Sequence, residues 1–370
     1  MKFTCEKHLL QTAVATALRA VSGKSPIPAL EGILVEAGTT VRITGYDLKK
    51  GIYTQFDADI TETGSVVISA RLFADIIRSL PDDIVSITCG DGNMISIICG
   101  ETDFSIMGIP ADDYPELPVV DQQNAIALPE NLLRTMIGQT IFAVSDSESR
   151  PIYTGALFEI EDNQLTVVAV DGYRLALRKE TIEGGDSTAC NFIVPGNSLS
   201  EVEKICADRE DLVKIVVGSK HISFAIGDTV LISRRLEGEF LNYKSSIPSS
   251  FATQVIGEKA AVLKAVERVS LIIDDKTKNP LRAVFQNQEL RFHCATALGR
   301  AEDRCPIEGS GDGLEIGFNN RYLIDALKAA PSETLKICVN NSNSPCIFLP
   351  GDDSDNFTYM VLPVRLKAGE

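Results

Sequence analysis

Gly23-Lys24-Ser25 has the residue types that close a phosphate-binding loop, in which a lysine meets phosphate and a hydroxyl meets magnesium. Such a loop also needs a glycine at position 18, where this chain has Leu18, and Pro26 falls where a helix should propagate. The triplet is therefore read as accidental. The glycine-rich stretch at 309–313 has neither the spacing nor the strand-to-helix context of a dinucleotide site. Asp112-Asp113 and Asp352-Asp353 lie in loop-like segments and read as solvated carboxylates. Neither GxSxG nor HExxH occurs, and His8, His221 and His293 have no metal-ligand spacing. The nine cysteines (Cys5, Cys89, Cys99, Cys190, Cys206, Cys294, Cys305, Cys338 and Cys346) form no CxxC. Several sit in apolar runs such as SITCG and SIICG, as reduced thiols packed like small hydrophobes do. No metal, cofactor or catalytic constellation is expected.

The totals are those of a soluble globular protein. At 370 residues, 44% hydrophobic and 23% charged, the chain is too long for one ordinary core. No apolar run approaches the roughly eighteen residues of a membrane span, and MKFTCEKHLL lacks a signal-peptide core. A cytoplasmic protein with no membrane partner is expected. The net charge of −16 argues against nucleic acid unless the basic residues gather on one surface.

Positioning falls to an internal repeat with a period of about 120 to 125 residues. Each copy opens on an amphipathic helix: from Glu6, from Pro129 and from Glu258. Leu10, Ala13, Val14 and Val21 share one face of the first, and Val262, Val266, Val269 and Ile273 one face of the third. A strand pair follows, from Gly32, Gly155 and Leu281, each with two apolar runs around a polar turn. A strand then leads into a second helix, striped by Phe73, Ile76, Ile77 and Leu80 in the first copy and by Leu323, Ala326, Leu327 and Ala330 in the third. Closing strands end each copy. The pattern predicts an α+β chain of three tandem similar domains, at 1–122, 123–250 and 251–370.

Two runs stand apart, VDGYRLAL at 170–177 and YMVLPVRL at 359–366. The second is too apolar for a frayed tail, and Pro363 cannot donate in a central strand, which predicts a structured edge with exposed apolar atoms. Such an edge is either a packing feature or a docking site for a short peptide. Together with MKFT at the start and TGYDL at 44–48, these runs resemble the beta subunits of bacterial DNA polymerase III, the sliding clamps, over essentially the whole chain.

The resemblance implies a head-to-tail homodimeric ring with helices lining the inside and sheets outside. It implies binding of double-stranded DNA without sequence preference, and partnership with a clamp loader, polymerases and other proteins carrying clamp-binding motifs. It places Lys24, Arg71, Arg150, Lys278 and Tyr322 at the DNA. The wider basic set on helices and loops is Lys7, Arg19, Arg78, Arg134, Lys259, Lys264, Arg268, Lys276 and Arg321. Ser147 and Asn197 depart from the family where a basic residue would meet phosphate better. The implied peptide pocket comprises Tyr153, Val170, Gly172, Tyr173, Arg174, Leu175, Leu241, Met360, Val361, Leu362, Pro363, Val364, Arg365 and Leu366. Tyr153, Leu241 and Ser245 depart from the family there, and the tail Lys367–Glu370 extends past its usual end. Apolar runs at the two ends of the repeat array, Phe104 with Ile106 and Leu271, Ile272 with Ile273, are expected to close the dimer. The competing expectations are a nucleotide-handling transferase and a peptide-binding scaffold that does not bind DNA.

Overall fold

The computed structural model describes residues 1–121, 124–182, 189–274, 279–309, 311–352 and 354–366. The six α-helices among them are α1 (Lys7–Leu18), α2 (Ala70–Ser79), α3 (Glu130–Gly138), α4 (Gly196–Ile205), α5 (Lys259–Ser270) and α6 (Asn320–Ala329). Each follows a strand, α6 after the single N-cap residue Asn319 and the others directly, in the order the repeat predicts. Phe73, Ile76, Ile77 and Leu80 are all buried, as are Leu323, Ala326, Leu327 and Ala330. Each of the Phe, Ile and Leu side chains contributes about 1.5–3 kcal/mol by leaving water, and each alanine less. Two stripes are shorter than expected. α1 ends at Leu18 and α5 at Ser270, so Val21 and Ile273 are only half-buried beyond the helix ends.

The chain divides into two compact units, and they cut across the repeats. The first holds Met1–Arg134 with Glu201–Arg235, the second Thr135–Ser200 with Leu236–Glu370. The first unit has a five-stranded sheet, in the order Asp59–Glu62, Lys2–Glu6, Ile84–Cys89, Met94–Cys99 and Thr102–Met107. Its second sheet has eight strands, in the order Asn124–Pro129, Leu212–Val217, His221–Ile226, Thr229–Arg234, Lys50–Phe56, Val41–Tyr46, Gly32–Ala37 and Gly64–Ser69. Strands from two repeats meet in it where Thr229 faces Thr54, their hydroxyls 3.0 Å apart.

The second unit is built on one twelve-stranded sheet. Cys190–Pro195, Gly155–Glu161, Gln164–Val170 and Arg174–Thr181 run into Phe357–Val361, Cys346–Pro350, Thr334–Val339 and Thr253–Glu258. Gly299–Glu308, Glu289–Thr296, Leu281–Gln286 and Leu314–Phe318 complete it. The junction between repeats is again antiparallel, with Leu175 opposite Met360 and Arg174 opposite Val361. This corrects the expectation of an exposed terminal edge. The Phe357–Val361 strand bonds a neighbour on both sides, and Met360 and Val361 are buried. Proline's missing donor matters only two residues later, where the chain has left the sheet.

Candidate functional site

The VDGYRL run forms a turn between two strands. The Asp171 Oδ1 carboxylate oxygen accepts from the Tyr173 and Arg174 backbone N–H groups at 2.8 and 3.0 Å. Gly172 takes the left-handed conformation, with φ 94°, that such a turn requires. Val170 and Leu175 flank the turn and are buried, whereas Tyr173 at its tip is 63% exposed. The terminal run lies against it. The Leu362 N–H donates to the Tyr173 carbonyl at 2.8 Å, and the Val364 N–H donates to the Gly317 carbonyl at 2.8 Å. Leu362, Pro363 and Leu366 are half-buried, and Val364 and Arg365 are exposed.

Beside this turn lies an open cleft of about 680 Å³, walled by Tyr173, Arg174, Phe318, Tyr322, Asp325 and Val364 among others. Arg174 is its fixed point. Its Nε donates to Asp171 at 2.9 Å and its Nη1 to Asp325 at 2.5 Å. The guanidinium also lies 4.5 Å from the Tyr322 ring centroid and 5.6 Å from that of Phe142. Tyr322 stacks on Tyr173 at 6.3 Å, and burial, reinforced by the Asp171 charge, raises its phenol pKa. The walls are thus held before any ligand arrives, which lowers the entropic cost of binding an extended chain.

The implied pocket residues do not all share this cleft. Arg174 and Leu175 are consecutive in one strand, so their side chains leave on opposite faces of the sheet. Val170, Leu175 and Met360 join Leu157, Leu177 and Tyr243 in an apolar cluster on the Leu175 face, with Tyr153 and Phe240 packed against it. The Tyr153 and Phe240 rings meet edge to face at 5.8 Å. Leu241 is 40% exposed. Asp325 and Phe142, which hold Arg174, went unread in the sequence. Asp325 stands 151 positions from its partner and carries no local signal.

The basic residues divide in two. Lys7 pairs with Asp82 at 2.8 Å, Arg19 with Glu201 at 3.2 Å, Arg78 with Asp75 at 3.1 Å, and Arg268 with Asp303. Lys259 donates to the Ala330 carbonyl at 2.8 Å. Lys24, Arg71, Arg134, Arg150 and Lys264 are exposed. Lys276 and Lys278 lie outside the described residues. Tyr322, expected at DNA, stands in the cleft wall. The Thr102–Met107 strand is a sheet edge, but Phe104 and Ile106 turn inward onto their own core, leaving Asp103, Ser105 and Met107 outward. Leu271 is 83% exposed past the end of α5, with Ile272 and Ile273 half-buried.

Three α+β repeats, with strands shared between repeats and an open cleft at one junction, define a modular architecture. Sequence models of the DNA polymerase III beta subunit match in series: the N-terminal domain over residues 1–118, the central domain over 127–242 and the C-terminal domain over 244–365. The beta sliding clamp of Bacillus subtilis (strain 168) is 32% identical, across 99% of this chain and all of that one. The crystal structure of the DNA polymerase sliding clamp from Bacillus subtilis superposes with a TM-score of 0.94 at 31% identity, covering 99% of this chain and 100% of that chain. The sliding clamp from Pseudomonas aeruginosa, in a crystal structure bound to griselimycin, gives 0.93 at 26% identity, with 99% and 100% covered. The chain belongs to the DNA polymerase III beta-subunit family. Its part in DNA replication is that of a sliding clamp, a processivity subunit and not itself an enzyme.

Proposed function

We propose that this clamp closes head to tail with a second copy into a cytoplasmic ring around duplex DNA. Extended segments of polymerases, a clamp loader and other DNA-processing proteins then bind in the cleft beside Tyr173. The observation that carries the peptide half is the pre-set wall of Tyr173, Arg174 and Tyr322 beside the exposed Val364. Apolar anchors in such a wall typically contribute about 2 kcal/mol or more each. Tyr322 serves the cleft in this reading, because its ring is already committed to Tyr173 and Arg174. The domain joins fall near residues 122 and 250.

Two open strand edges support ring closure. Among the described residues, Thr102–Met107 has a partner on one side only, and in Gly299–Glu308 only Glu308 and Ile307 bond the Thr253–Glu258 strand. Exposed edges of this kind are stabilised by pairing, and one of each per chain closes a two-fold ring. The backbone edge, with Met107 and Leu271 outward, makes the contact, while Phe104 and Ile106 hold the strand from behind.

Lys24, Arg71 and Arg150 are the exposed cations assigned to phosphate, with Lys278 assigned by family resemblance alone. Topology provides the test. The assembled protein has the mass of a dimer, stays on nicked circular DNA and is lost when that DNA is cut. Replacing Lys24, Arg71 and Arg150 by Ala reduces the log–log salt slope of binding by about 0.9 for each phosphate no longer neutralised. Equal retention on circular and linear DNA overturns the ring and leaves a scaffold that does not encircle DNA.

A further inference from the structure

Tyr173 walls the cleft, and Leu175, two residues on, belongs to an apolar face on the other side of Arg174, where Val170 and Met360 join it. Phe240 is half-buried against that face, its ring 5.8 Å from the Tyr153 ring and edge to face with it. The next residue, Leu241, is exposed. In the sheet beneath, Leu157 stands opposite Val168 and Val168 opposite Leu177, so these side chains share the Leu175 face. Glu159, two residues after Leu157 in the same strand, points to that face as well.

The segment carrying Phe240 and Leu241 reaches the sheet through Tyr243. The Tyr243 ring is buried in the same apolar cluster, and its hydroxyl donates to Glu159 Oε2 at 2.6 Å. Burial, then the bond to Glu159, raise the phenol pKa, so the proton stays on the donor. Lys244 Nζ lies 3.1 Å from the same oxygen and 3.8 Å from Glu161, but the lysine is exposed and water screens the pair. Toward the surface the turn is bonded to itself. The Tyr243 N–H donates to the Leu241 carbonyl at 2.7 Å, and the Ser245 hydroxyl to the Asn242 carbonyl at 2.9 Å. A turn closed in this way shifts as one piece, so the group that fixes Tyr243 also fixes Leu241.

We propose that Glu159 is a positioning residue for peptide docking. It touches no ligand. Through Tyr243 it sets the wall formed by Phe240 and Leu241, and an apolar side chain of the bound segment packs on that wall after the segment passes Tyr173. Such walls have to be held to within about 0.5 Å by the groups behind them. A gap of about 0.5–1 Å already forfeits roughly a quarter to a half of each contact's attraction, so an apolar anchor registers the shift directly. This role rests on the peptide docking proposed above.

Overlapping decapeptides covering a bacterial replicative DNA polymerase supply the probes, and the tightest binder is scanned with alanine by calorimetry on the full-length protein. Glu159→Ala binds it about tenfold more weakly, a loss within the size of one hydrogen bond to a charged group. Tyr243→Phe binds it as weakly, and the double variant no more weakly than either, because both changes remove the same contact. Glu159→Gln keeps an oxygen that accepts from Tyr243 and stays within about twofold of wild type. In Glu159→Ala one apolar position of the peptide loses its effect on affinity, the same position that loses it in Leu241→Ala. General destabilisation instead weakens every peptide position alike and is not rescued by Gln. Should Glu159→Ala fold poorly, Tyr243→Phe, which keeps the buried ring, carries the same comparisons. Unchanged affinity in Glu159→Ala, additive losses in the double variant, no rescue by Glu159→Gln, or a loss spread evenly along the peptide each overturn the role. If no decapeptide binds the wild-type protein, the docking function itself falls, and this role with it.

Discussion

The first and second repeats build the same turn and use it differently. Asp47 Oδ1 accepts from the Lys49 and Lys50 N–H groups at 2.9 and 2.7 Å, as Asp171 Oδ1 does from Tyr173 and Arg174. Leu48 and Gly172 occupy the same left-handed position, with φ 69° and 94°. Each turn delivers a strand that pairs with the next repeat: Lys50–Phe56 with Thr229–Arg234, and Arg174–Thr181 with Phe357–Val361. The backbone beyond matches too. Arg234 donates to the Lys49 carbonyl at 3.0 Å where Leu362 donates to that of Tyr173 at 2.8 Å. Only the side chains differ. Lys49, Lys50 and Arg234 at one junction become Tyr173, Arg174 and Leu362 at the other. In the proposed function, a junction whose backbone holds two repeats together becomes a docking cleft when its side chains change from basic to aromatic and apolar.

The sharpest break in this likeness is to cut the chain after Val361. Removing 362–370 leaves the Phe357–Val361 strand with both neighbours but takes one wall from the cleft. Affinity for polymerase-derived peptides falls about a hundredfold, the loss of more than one apolar anchor. Calorimetry of peptide binding beside a melting curve checks it, and normal affinity in a folded truncation places the docking site elsewhere. A cut before Met360 is uninformative by contrast, since it removes two buried residues of a central strand.

The paired aspartates come next. Asp171→Ala and Asp47→Ala each remove a carboxylate that accepts two backbone N–H groups, and each destabilises the chain by about 1–3 kcal/mol. Only Asp171→Ala also removes one of the two carboxylates that fix Arg174, leaving it to Asp325, so only that variant loses up to about tenfold in peptide affinity, consistent with one charged contact. Equal peptide affinity in the two variants would mean that Arg174 is not held by Asp171 for binding. The smallest effect is in the backbone. Leu48→Gly relieves a left-handed non-glycine residue and stabilises by up to about 1 kcal/mol, and Gly172→Ala destabilises by about as much. No neighbour lies within 4 Å of a Cβ built on Gly172, so its cost is purely conformational. Chemical denaturation of both variants reads the opposite signs.

What was legible in the residues followed from local periodicity. The helix stripes through Phe73 and Leu323 and the hairpins from Gly32, Gly155 and Leu281 repeat at short range, and their burial and pairing match. Pairing between repeats was illegible, because Leu175 and Met360 are far apart in the chain and each strand looks the same alone. That is why the terminal run read as an edge. The division of basic residues was equally hidden, since the Asp82 carboxylate that pairs with Lys7 stands far from it in the chain. The cleft was half legible: DGYRL and VLPVRL stood out, but the opposing wall of Phe318, Tyr322 and Asp325 had no pattern of its own.

The sharing of strands bears on how such a chain is inherited. The Thr229–Arg234 strand of the middle repeat completes one sheet and its Arg174–Thr181 strand completes another, in fixed registers with different neighbours. A gene fragment encoding any single repeat would expose a long unpaired strand and aggregate. A crossover exchanging one repeat between diverged genes would have to restore the register at every border it touched. Substitutions at Tyr173 or Lys49 disturb no such register. Register therefore constrains the backbone at the junctions, and the exposed side chains there are the positions at which one junction can differ from another without disturbing the triple repeat.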